Sequence, residues 1–388
     1  MCGLYNNQDT HGSYFRSTGN IDSRRTPVPN VDITGKNRFK NPIPKAPFLS
    51  TFDATKNPMA CFPSHLGGEI KYGKYVNFSE DCLNLNVFVP HTFEKNVSMP
   101  VMIWIHGGSY KEGATAIFQG EGIIAFGDVI VVTVSYRLGM FGYIQSADGK
   151  LPGNLGLWDQ HLGIKWVHDN IVAFTENPND VNIFGESAGG ESVIFQSLYP
   201  GNRRFFQRVI AQSGSALAYW AVHATPNAEP LIANKGCERA PDPVTCLRAL
   251  TPWQLQDDDT SAWQPVIDRD FLLASSQEII FGNFSHTQNA RNFSGSLDLM
   301  TGANNFDGAV YFRDVWPFMF KSTDMNTFNL TRGQFTGNAI SSIVEDVIKL
   351  KNHSITSITE STLTGCVRMT APSLTLCCCS VSLTCPMT

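Results

Sequence analysis

The sequence predicts an α/β fold in which helices cover both faces of a mostly parallel central sheet. Short apolar runs rich in β-branched residues recur along the chain, and stretches with helical periodicity separate them. Strands that alternate with helices in this way are typical of parallel sheets. The chain has 388 residues, of which 42% are apolar, enough for one large α/β domain or two average ones.

Three segments predict the first strands of this sheet. LNLNVFV (83–89) alternates apolar and polar residues, as a half-buried strand does. PVMIWIHGG (100–108) is an apolar run that glycines stop, and it predicts a central strand buried on both faces. DVIVVTVSYR (128–137) is rich in β-branched residues, which favour strands.

A helix is predicted after the third strand, with Asn154 as its N-cap. Trp158, Leu162 and Trp166 follow at i, i+4 and i+8, the spacing of one buried helix face. Further along the chain, RVIAQSG (208–214) predicts one more strand.

The motif G-x-S-x-G, with Ser187 at its centre, lies between a predicted strand, VNIFGE (181–186), and an apparent helix. A strand, a tight turn and a helix are the context that a nucleophile elbow requires. Gly185 and Gly189 flank the serine because side chains there would collide. The motif therefore predicts a nucleophilic Ser187 at a helix N-terminus, where negative charge is favoured.

A glycine-rich turn, WIHGGSY (104–110), follows the second predicted strand. Such a turn can direct backbone N–H groups at a carbonyl oxygen and form an oxyanion hole with the N–H of Ala188. The alternative is an ordinary tight turn after a strand. The elbow further along the chain favours the oxyanion hole.

Composition excludes several kinds of partner. A formal net charge of −5 offers no basic surface, so nucleic acid is not expected. No apolar run approaches the roughly 18 residues that a membrane span requires. The N-terminal MCGLYNNQDT has neither a basic start nor an apolar core, so no secretory signal is expected in it. We also predict no cofactor and no metal site.

The cysteines point to an oxidising compartment. Cys61 and Cys82 flank one segment and Cys237 and Cys246 another, and both spacings suit closed loops, although each could also be a buried thiol. Glycosylation sequons begin at Asn77, Asn96, Asn283, Asn292, Asn329 and Asn352. Chance would supply roughly four in such a sequence, so the expectation of a secreted glycoprotein rests on the paired cysteines.

Six segments, taken together and in order, resemble the type-B carboxylesterase and cholinesterase family. They are SEDCLNLNVFVP (79–90), WIHGGSY (104–110), VVTVSYRLGMFGY (131–143), GNLGLWDQHLGIKWVHDNI (153–171), NPNDVNIFGESAGG (177–190) and VIAQSGSA (209–216). The resemblance implies an α/β-hydrolase fold and the hydrolysis of carboxylic esters through an acyl-enzyme on Ser187. It also implies the disulfides Cys61–Cys82 and Cys237–Cys246.

The resemblance further implies a role for each matching residue. The N–H groups of Gly108, Ser109 and Ala188 form the oxyanion hole, and Glu186 places a negative charge beside the nucleophile. MTGANNFDGAVYF (300–312) resembles the segment of the triad acid and assigns that role to Asp307. The family usually has glycine where Ser109 stands and more often glutamate where Asp307 stands.

Other departures concern the substrate and the histidine. Tyr72 stands where cholinesterases have the tryptophan that stacks on choline, so choline ester specificity is not supported.

In this fold the histidine follows the acid, and only His353 follows Asp307. No glycine follows His353, unlike the family's catalytic histidine, so we do not expect it to be the base. The remaining candidates all precede the acid and are expected to be structural or on the surface: His106, His161, His168, His223 and His286.

Beyond about residue 355 the sequence is rich in Ser, Thr and Cys, shows no clear period and resembles nothing in the family. We therefore predict an irregular segment at 1–37, a partial hydrolase domain at 38–355 that lacks the C-terminal part of the fold, and an atypical tail at 356–388.

The predicted function is ester hydrolysis on a small-molecule substrate, by a chain without a credible catalytic histidine. The alternative is a non-catalytic protein of the neuroligin kind that binds a protein partner, since HGGSYKEG (106–113) and QSGSALAYWAV (212–222) resemble neuroligins.

Overall fold

A computed structural model of the chain describes a large part of its residues. These are 14–17, 37–44, 58–65, 73, 75–90, 99–118, 120–174, 178–218, 220–223, 226–256, 263–304, 357–361, 366–371 and 374–379, with the backbone alone for 14–17 and for the last three ranges. The chain divides into two compact units, residues 1–302 and 303–388.

A seven-stranded sheet forms the centre of the first unit. Its strands are β1 (Tyr14–Ser17), β2 (Leu85–Pro90), β3 (Val101–Ile105), β4 (Ile130–Val134), β5 (Val181–Glu186), β6 (Arg208–Gln212) and β7 (Asp298–Gly302). Their order is β1-β2-β4-β3-β5-β6-β7. The pairs from β4 through β3, β5 and β6 to β7 are parallel, whereas β1 and β2 run antiparallel to their neighbours. The predicted α/β class with a mostly parallel sheet is confirmed.

Helices connect most of these strands. The α-helices are α1 (Glu121–Phe126), α2 (Gly139–Tyr143), α3 (Leu155–Asn170), α4 (Ala188–Leu198), α5 (Ala228–Asn234), α6 (Pro243–Ala249), α7 (Pro252–Leu255), α8 (Ser276–Phe281) and α9 (Gln288–Ser294). Short 3₁₀ turns lie at Thr115–Ile117, Ile171–Phe174, Pro200–Asn202 and Ser285–Thr287. Within the described residues, no helix is long and apolar enough to cross a membrane.

Asn154 directly precedes α3, but it does not cap the helix as predicted. Its backbone is left-handed, with φ 54°, and its side chain makes no capping hydrogen bond. Instead the Asn154 amide donates to the Val266 oxygen at 2.7 Å and accepts from the Val266 N–H at 2.9 Å. The asparagine therefore joins the start of α3 to a distant loop, a long-range pairing that local sequence does not reveal.

Burial also departs from the simple sequence patterns. In α3, Trp166 is buried, but Trp158 and Leu162 are only half-buried, and the helix buries residues around most of its circumference. In β2 the polar Asn86 is fully buried, and its amide donates to the Thr133 hydroxyl of β4 at 3.0 Å. An alternating pattern cannot distinguish a solvated polar residue from one that is hydrogen-bonded to a neighbouring strand.

Two disulfides, Cys61–Cys82 and Cys237–Cys246, close loops of the first unit. Arg38 donates to both oxygens of Glu80, at 2.6 and 2.7 Å, and also to the backbone oxygen of Leu247. Glu80 and Leu247 adjoin the first and the second disulfide respectively. One buried arginine therefore links the two disulfide-bonded segments through charge-assisted hydrogen bonds.

The second unit contains a three-stranded antiparallel sheet. Its strands are β8 (Ser357–Ser361), β9 (Cys366–Ala371) and β10 (Leu374–Cys379), in the order β10-β9-β8. The sequence indicated no strand period here. Threonine, valine and isoleucine nevertheless favour extended backbone, which accounts for strands without an alternating pattern. The predicted boundaries at 37 and 355 stay predictions.

Candidate active site

Ser187 occupies a sharp, strained turn between β5 and α4. Its backbone has φ 55° and ψ −125°, a conformation that costs a non-glycine residue about 1–3 kcal/mol. Two hydrogen bonds hold the turn: the Ser187 N–H donates to the Gln212 oxygen, and the Glu191 N–H donates to the Ser187 oxygen, both at 2.9 Å. Such strain persists only where the surroundings hold it in place, and it is frequent at functional sites.

The two glycines that flank the serine allow strand and helix to approach closely. A Cβ added at Gly189 would lie 2.1 Å from the Ile105 oxygen, and one at Gly185 would lie 2.5 Å from the carbonyl carbon of Gly189. Both distances are far below van der Waals contact. The collision expected from the motif is therefore present at both positions.

The loop after β3 passes directly beside this turn. Ile105 pairs in parallel with Gly185, so β3 and β5 end side by side. A Cβ on Gly107 would lie 2.5 Å from the Glu186 oxygen and 3.1 Å from Ser187 Cβ. The segment HGGSY and the motif GESAG, which are far apart in the chain, are thus in contact in the fold.

Three consecutive residues of this loop have left-handed backbones: Gly108 (φ 116°), Ser109 (φ 56°) and Tyr110 (φ 60°). The Lys111 N–H donates to the Gly108 oxygen at 2.9 Å and closes the turn. Among the described residues, no backbone oxygen accepts the N–H of Gly108, Ser109 or Ala188. These are the three donors expected to form the oxyanion hole.

Ser109 departs from glycine at a position where the backbone favours glycine. A left-handed φ brings Cβ close to the following carbonyl oxygen, at a cost of about 1–2 kcal/mol for a residue with a side chain. The Ser109 side chain is exposed. The left-handed φ thus gives a physical reason for the glycine that the family usually has here.

Glu191, which the sequence patterns did not single out, is a buried carboxyl one helical turn beyond Ser187. Burial raises its pKa to about 7, while the hydroxyl of Tyr110 and the indole N–H of Trp220 oppose the shift. The Trp220 Nε1–H donates to Glu191 Oε1 at 2.9 Å. Glu191 therefore lies next to both the elbow and Tyr110, the residue that follows Ser109. The sequence does contain a signal, since a glutamate lies four positions after the motif serine. Glutamate on a helix is normally exposed, however, so its position alone does not predict a buried carboxyl.

His106 opens the glycine-rich loop, but its ring is packed in the core. It stacks on Tyr136 with ring centroids 4.4 Å apart, and its Nδ1 lies 2.9 Å from the Gly107 oxygen. Burial lowers the pKa of His106 to about 4, so the imidazole is neutral at physiological pH. These contacts fit the structural role predicted for it.

Four more of the described histidines also have local contacts. His161 Nδ1 lies 2.7 Å from Asn202 Oδ1, and burial lowers the pKa of His161. His168 Nδ1 lies 3.1 Å from an Asp169 oxygen. His223 donates its backbone N–H to Pro265, and His286 is exposed beside Phe284.

Three residues singled out in the sequence, Tyr72, Asp307 and His353, lie outside the described residues. The strand that precedes Asp307 in the chain, β7, does lie within the described residues. In β7, Gly302 pairs with Gln212 of β6, and Gln212 pairs with Glu186 of β5. The chain thus leaves β7 at the same sheet edge as the elbow, five residues before Asp307.

Comparison with known proteins finds relatives of this chain. The sequence model of the carboxylesterase family matches residues 29–363. Acetylcholinesterase 4 of Caenorhabditis briggsae is 32% identical over 330 residues, which cover 80% of this chain and 54% of the relative. Bile salt-activated lipase of Homo sapiens is 35% identical over 304 residues, covering 70% and 38%. Carboxylesterase 1E of Mus musculus is 39% identical over 233 residues, covering 57% and 42%. The chain spans about half the length, or less, of these relatives.

Proposed function

Because this chain belongs to the carboxylesterase family, whose fold is the α/β-hydrolase fold, we propose that it is a serine hydrolase that cleaves carboxylic esters through an acyl-enzyme on Ser187. The observation that carries the proposal is the strained Ser187 in contact with the HGGSY loop. The three relatives are named as an acetylcholinesterase, a lipase and a carboxylesterase. The proposed substrate is therefore a small-molecule carboxylic ester as a class, without one preferred alcohol.

In the proposed reaction, Ser187 Oγ attacks the ester carbonyl carbon while a base takes its proton. The carbonyl oxygen becomes negative and accepts hydrogen bonds from the N–H groups of Gly108, Ser109 and Ala188. Loss of one such donor typically costs about 10²–10³ in rate. The alcohol leaves with the proton, and water then releases the acid from Ser187.

Asp307 is proposed as the acid that orients the base. Its supporting evidence is its position in the chain after β7, which ends at the same sheet edge as the elbow. The base itself remains without an assigned residue. His106 and the four other histidines discussed above have local contacts, and His353 does not match the family pattern.

The esterase is preferred to the non-catalytic binding alternative. A protein that only binds a partner has no need for a serine in a strained conformation with backbone donors beside it. Ser187 has the strained conformation, and the loop that contains two of the proposed donors lies beside it, which supports the esterase. The binding alternative rests on the two neuroligin-like segments alone.

We further propose that the protein is secreted or extracellular. The support is the pair of disulfides, Cys61–Cys82 and Cys237–Cys246, because such bonds form and persist in oxidising compartments. Both close short loops, and each is expected to resist alkylation in the native protein. Peptide mapping without reduction measures this directly.

The esterase proposal is tested by supplying a base. Residues after 355 are replaced by the matching segment of a related carboxylesterase, and turnover of p-nitrophenyl butyrate is measured. We expect residues 1–388 to show negligible turnover, unchanged by His353→Ala, and the chimera to show turnover that Ser187→Ala abolishes. A folded chimera without activity, or activity that survives Ser187→Ala, contradicts the proposal. Loss of turnover in the unmodified chain on His353→Ala would instead identify His353 as the base.

A further inference from the structure

Asn283 begins a sequon, Asn283-Phe284-Ser285, in the short connection between α8 and the 3₁₀ turn Ser285–Thr287. α8 ends where the Gly282 N–H donates to the Glu278 oxygen at 3.0 Å. The backbone is then extended, with φ −73° and ψ 161° at Gly282 and φ −98° and ψ 136° at Phe284. The Asn283 side chain is exposed. An extended, exposed acceptor can enter the active site of a modifying enzyme.

Two exposed aromatic rings flank this asparagine. Phe281 is 70% exposed and Phe284 is 48% exposed. A Cβ on Gly282 would lie 2.8 Å from Phe284 Cδ2, so the Phe284 ring folds back over the glycine. Two phenylalanines close to Asn283 in the chain thus expose apolar surface to water, which is unfavourable.

The other described sequons offer poorer acceptors. Asn292 lies within the helix α9, and its Oδ1 accepts a hydrogen bond from Gln288 Nε2 at 2.6 Å. At Asn77 the hydroxyl of the sequon serine, Ser79, accepts the Asp81 N–H at 3.0 Å. The Asn77 backbone oxygen also accepts the Ala60 N–H at 2.8 Å. Asn77 and Asn292 are exposed, as Asn283 is, but the Ser79 hydroxyl and the Asn292 amide are each engaged in a local side-chain hydrogen bond.

We propose that Asn283 is the principal N-glycosylation site of the described part of the chain and that the first sugar of its glycan stacks on Phe281. The donor is an oligosaccharide linked to a polyprenyl diphosphate. A bond forms between Asn283 Nδ2 and the anomeric carbon, the bond from that carbon to the diphosphate oxygen breaks, and the amide nitrogen loses one proton. The inference rests on the secreted location given under the proposed function.

Stacking follows from the position of Phe281, two residues before the acceptor. One face of an N-acetylhexosamine carries C–H groups with a weak positive charge, and the face of an aromatic ring is negative. The sugar would cover Phe281, which is otherwise among the most exposed large apolar residues. The glycan thereby stabilises the connection between α8 and the 3₁₀ turn Ser285–Thr287.

Occupancy is tested on the chain produced through a eukaryotic secretory pathway, by mapping glycopeptides after enzymatic release of glycans in heavy-oxygen water. We expect most molecules to carry a glycan at Asn283 and fewer at Asn292. Asn283→Gln and Ser285→Ala should each remove that glycan, whereas Asn292→Gln leaves it. Secreted chain with oxidised cysteines and glycans only at other sequons overturns the site assignment alone. Chain without glycans and with free cysteines overturns both the site and the proposed compartment.

Stacking is tested by thermal unfolding of Asn283 and Asn283→Gln forms, each with Phe281 or with Phe281→Ala. We expect the glycan to raise Tm when Phe281 is present and to raise it less after Phe281→Ala. Phe126→Ala is the matched control, since Phe126 is 85% exposed on α1, far along the chain from Asn283, and should leave the increment unchanged. An equal increment in both Phe281 backgrounds overturns the stacking.

Discussion

The centre and the last strand of the parallel sheet are built very differently. All five residues of β4 are buried, whereas all five residues of β7 are exposed, including Leu299 at 60% and Met300 at 65%. The elbow that carries Ser187 belongs to the packed centre: β5 lies between β3 and β6. The strained elbow thus lies where neighbouring strands surround it, whereas the side chains of β7 are exposed and have no comparable packing to maintain.

This difference has a physical cause. A residue such as Ser187 is held in an unfavourable conformation only if several contacts would be lost when it relaxes. At the elbow these contacts come from β3, from β6 and from the first turn of α4. An exposed residue such as Leu299 has fewer contacts to lose, so its substitution should be tolerated.

The largest effect is expected from Gly189→Ala. The new Cβ would meet the backbone oxygen of Ile105 at 2.1 Å, and backbone cannot move aside as a flexible side chain can. We expect a loss of about 3 kcal/mol in the free energy of unfolding, measured by urea titration. Leu299→Ala on β7 is the control and should change it by less than about 0.5 kcal/mol. Equal losses for the two variants would contradict the comparison.

The next largest effect is expected from Glu191→Gln and depends on pH. The pKa of Glu191 is about 7 in the fold, whereas that of a glutamate in water is 4.5. Below pH 4.5 the carboxyl is protonated in both the folded and the unfolded chain and costs nothing. As the pH rises from 4.5 to about 7, the unfolded chain releases a proton that the folded chain retains. The free energy of unfolding therefore falls with rising pH, and above pH 7 the loss is about 3 kcal/mol.

Glutamine keeps an oxygen acceptor for Trp220 but carries no charge, so Glu191→Gln should remove this dependence. We expect the variant to unfold at higher urea than the parent at pH 8 and at the same urea near pH 4. Glu238→Gln, at an exposed position, is the matched control and should change neither value. A variant less stable than the parent at pH 8 would show that Glu191 is held as a favourable carboxylate.

The smallest effect is expected from Ser109→Gly. Glycine relieves the left-handed strain at φ 56°, and we expect a gain of about 1 kcal/mol in the free energy of unfolding. Ser109→Ala retains Cβ and should give no such gain. If both variants stabilise equally, the hydroxyl rather than the backbone is the source of the cost.

Local patterns were sufficient to predict the elbow and the central strands. The runs at 100–108, 128–137 and 181–186 contain β3, β4 and β5. Continuous apolar residues suit strands buried on both faces, as β4 is, but Met102 and Trp104 leave one face of β3 only half-buried. The spacing of Gly185 and Gly189 predicted the turn at Ser187, because its geometry is set within a few residues.

Features that depend on distant partners could not be predicted in this way. Asn154 pairs with Val266, and Asn86 pairs with Thr133 across two strands. Glu191 is buried because Tyr110 and Trp220 come to it from other segments. In each case the amino acid suggests exposure, and only its tertiary neighbours account for its buried position.

The most direct test of Ser187 as the nucleophile is the reaction of the folded chain with a fluorophosphonate, followed by mass spectrometry to locate the label. The strained turn leaves the serine partly accessible, and the proposed backbone donors stabilise the charged adduct even without a strong base. We predict label on Ser187 in folded protein, and none after Ser187→Ala or after unfolding in urea. A demonstrably folded sample that takes up no label, or takes it up at another residue, would contradict the assignment of Ser187 as the nucleophile.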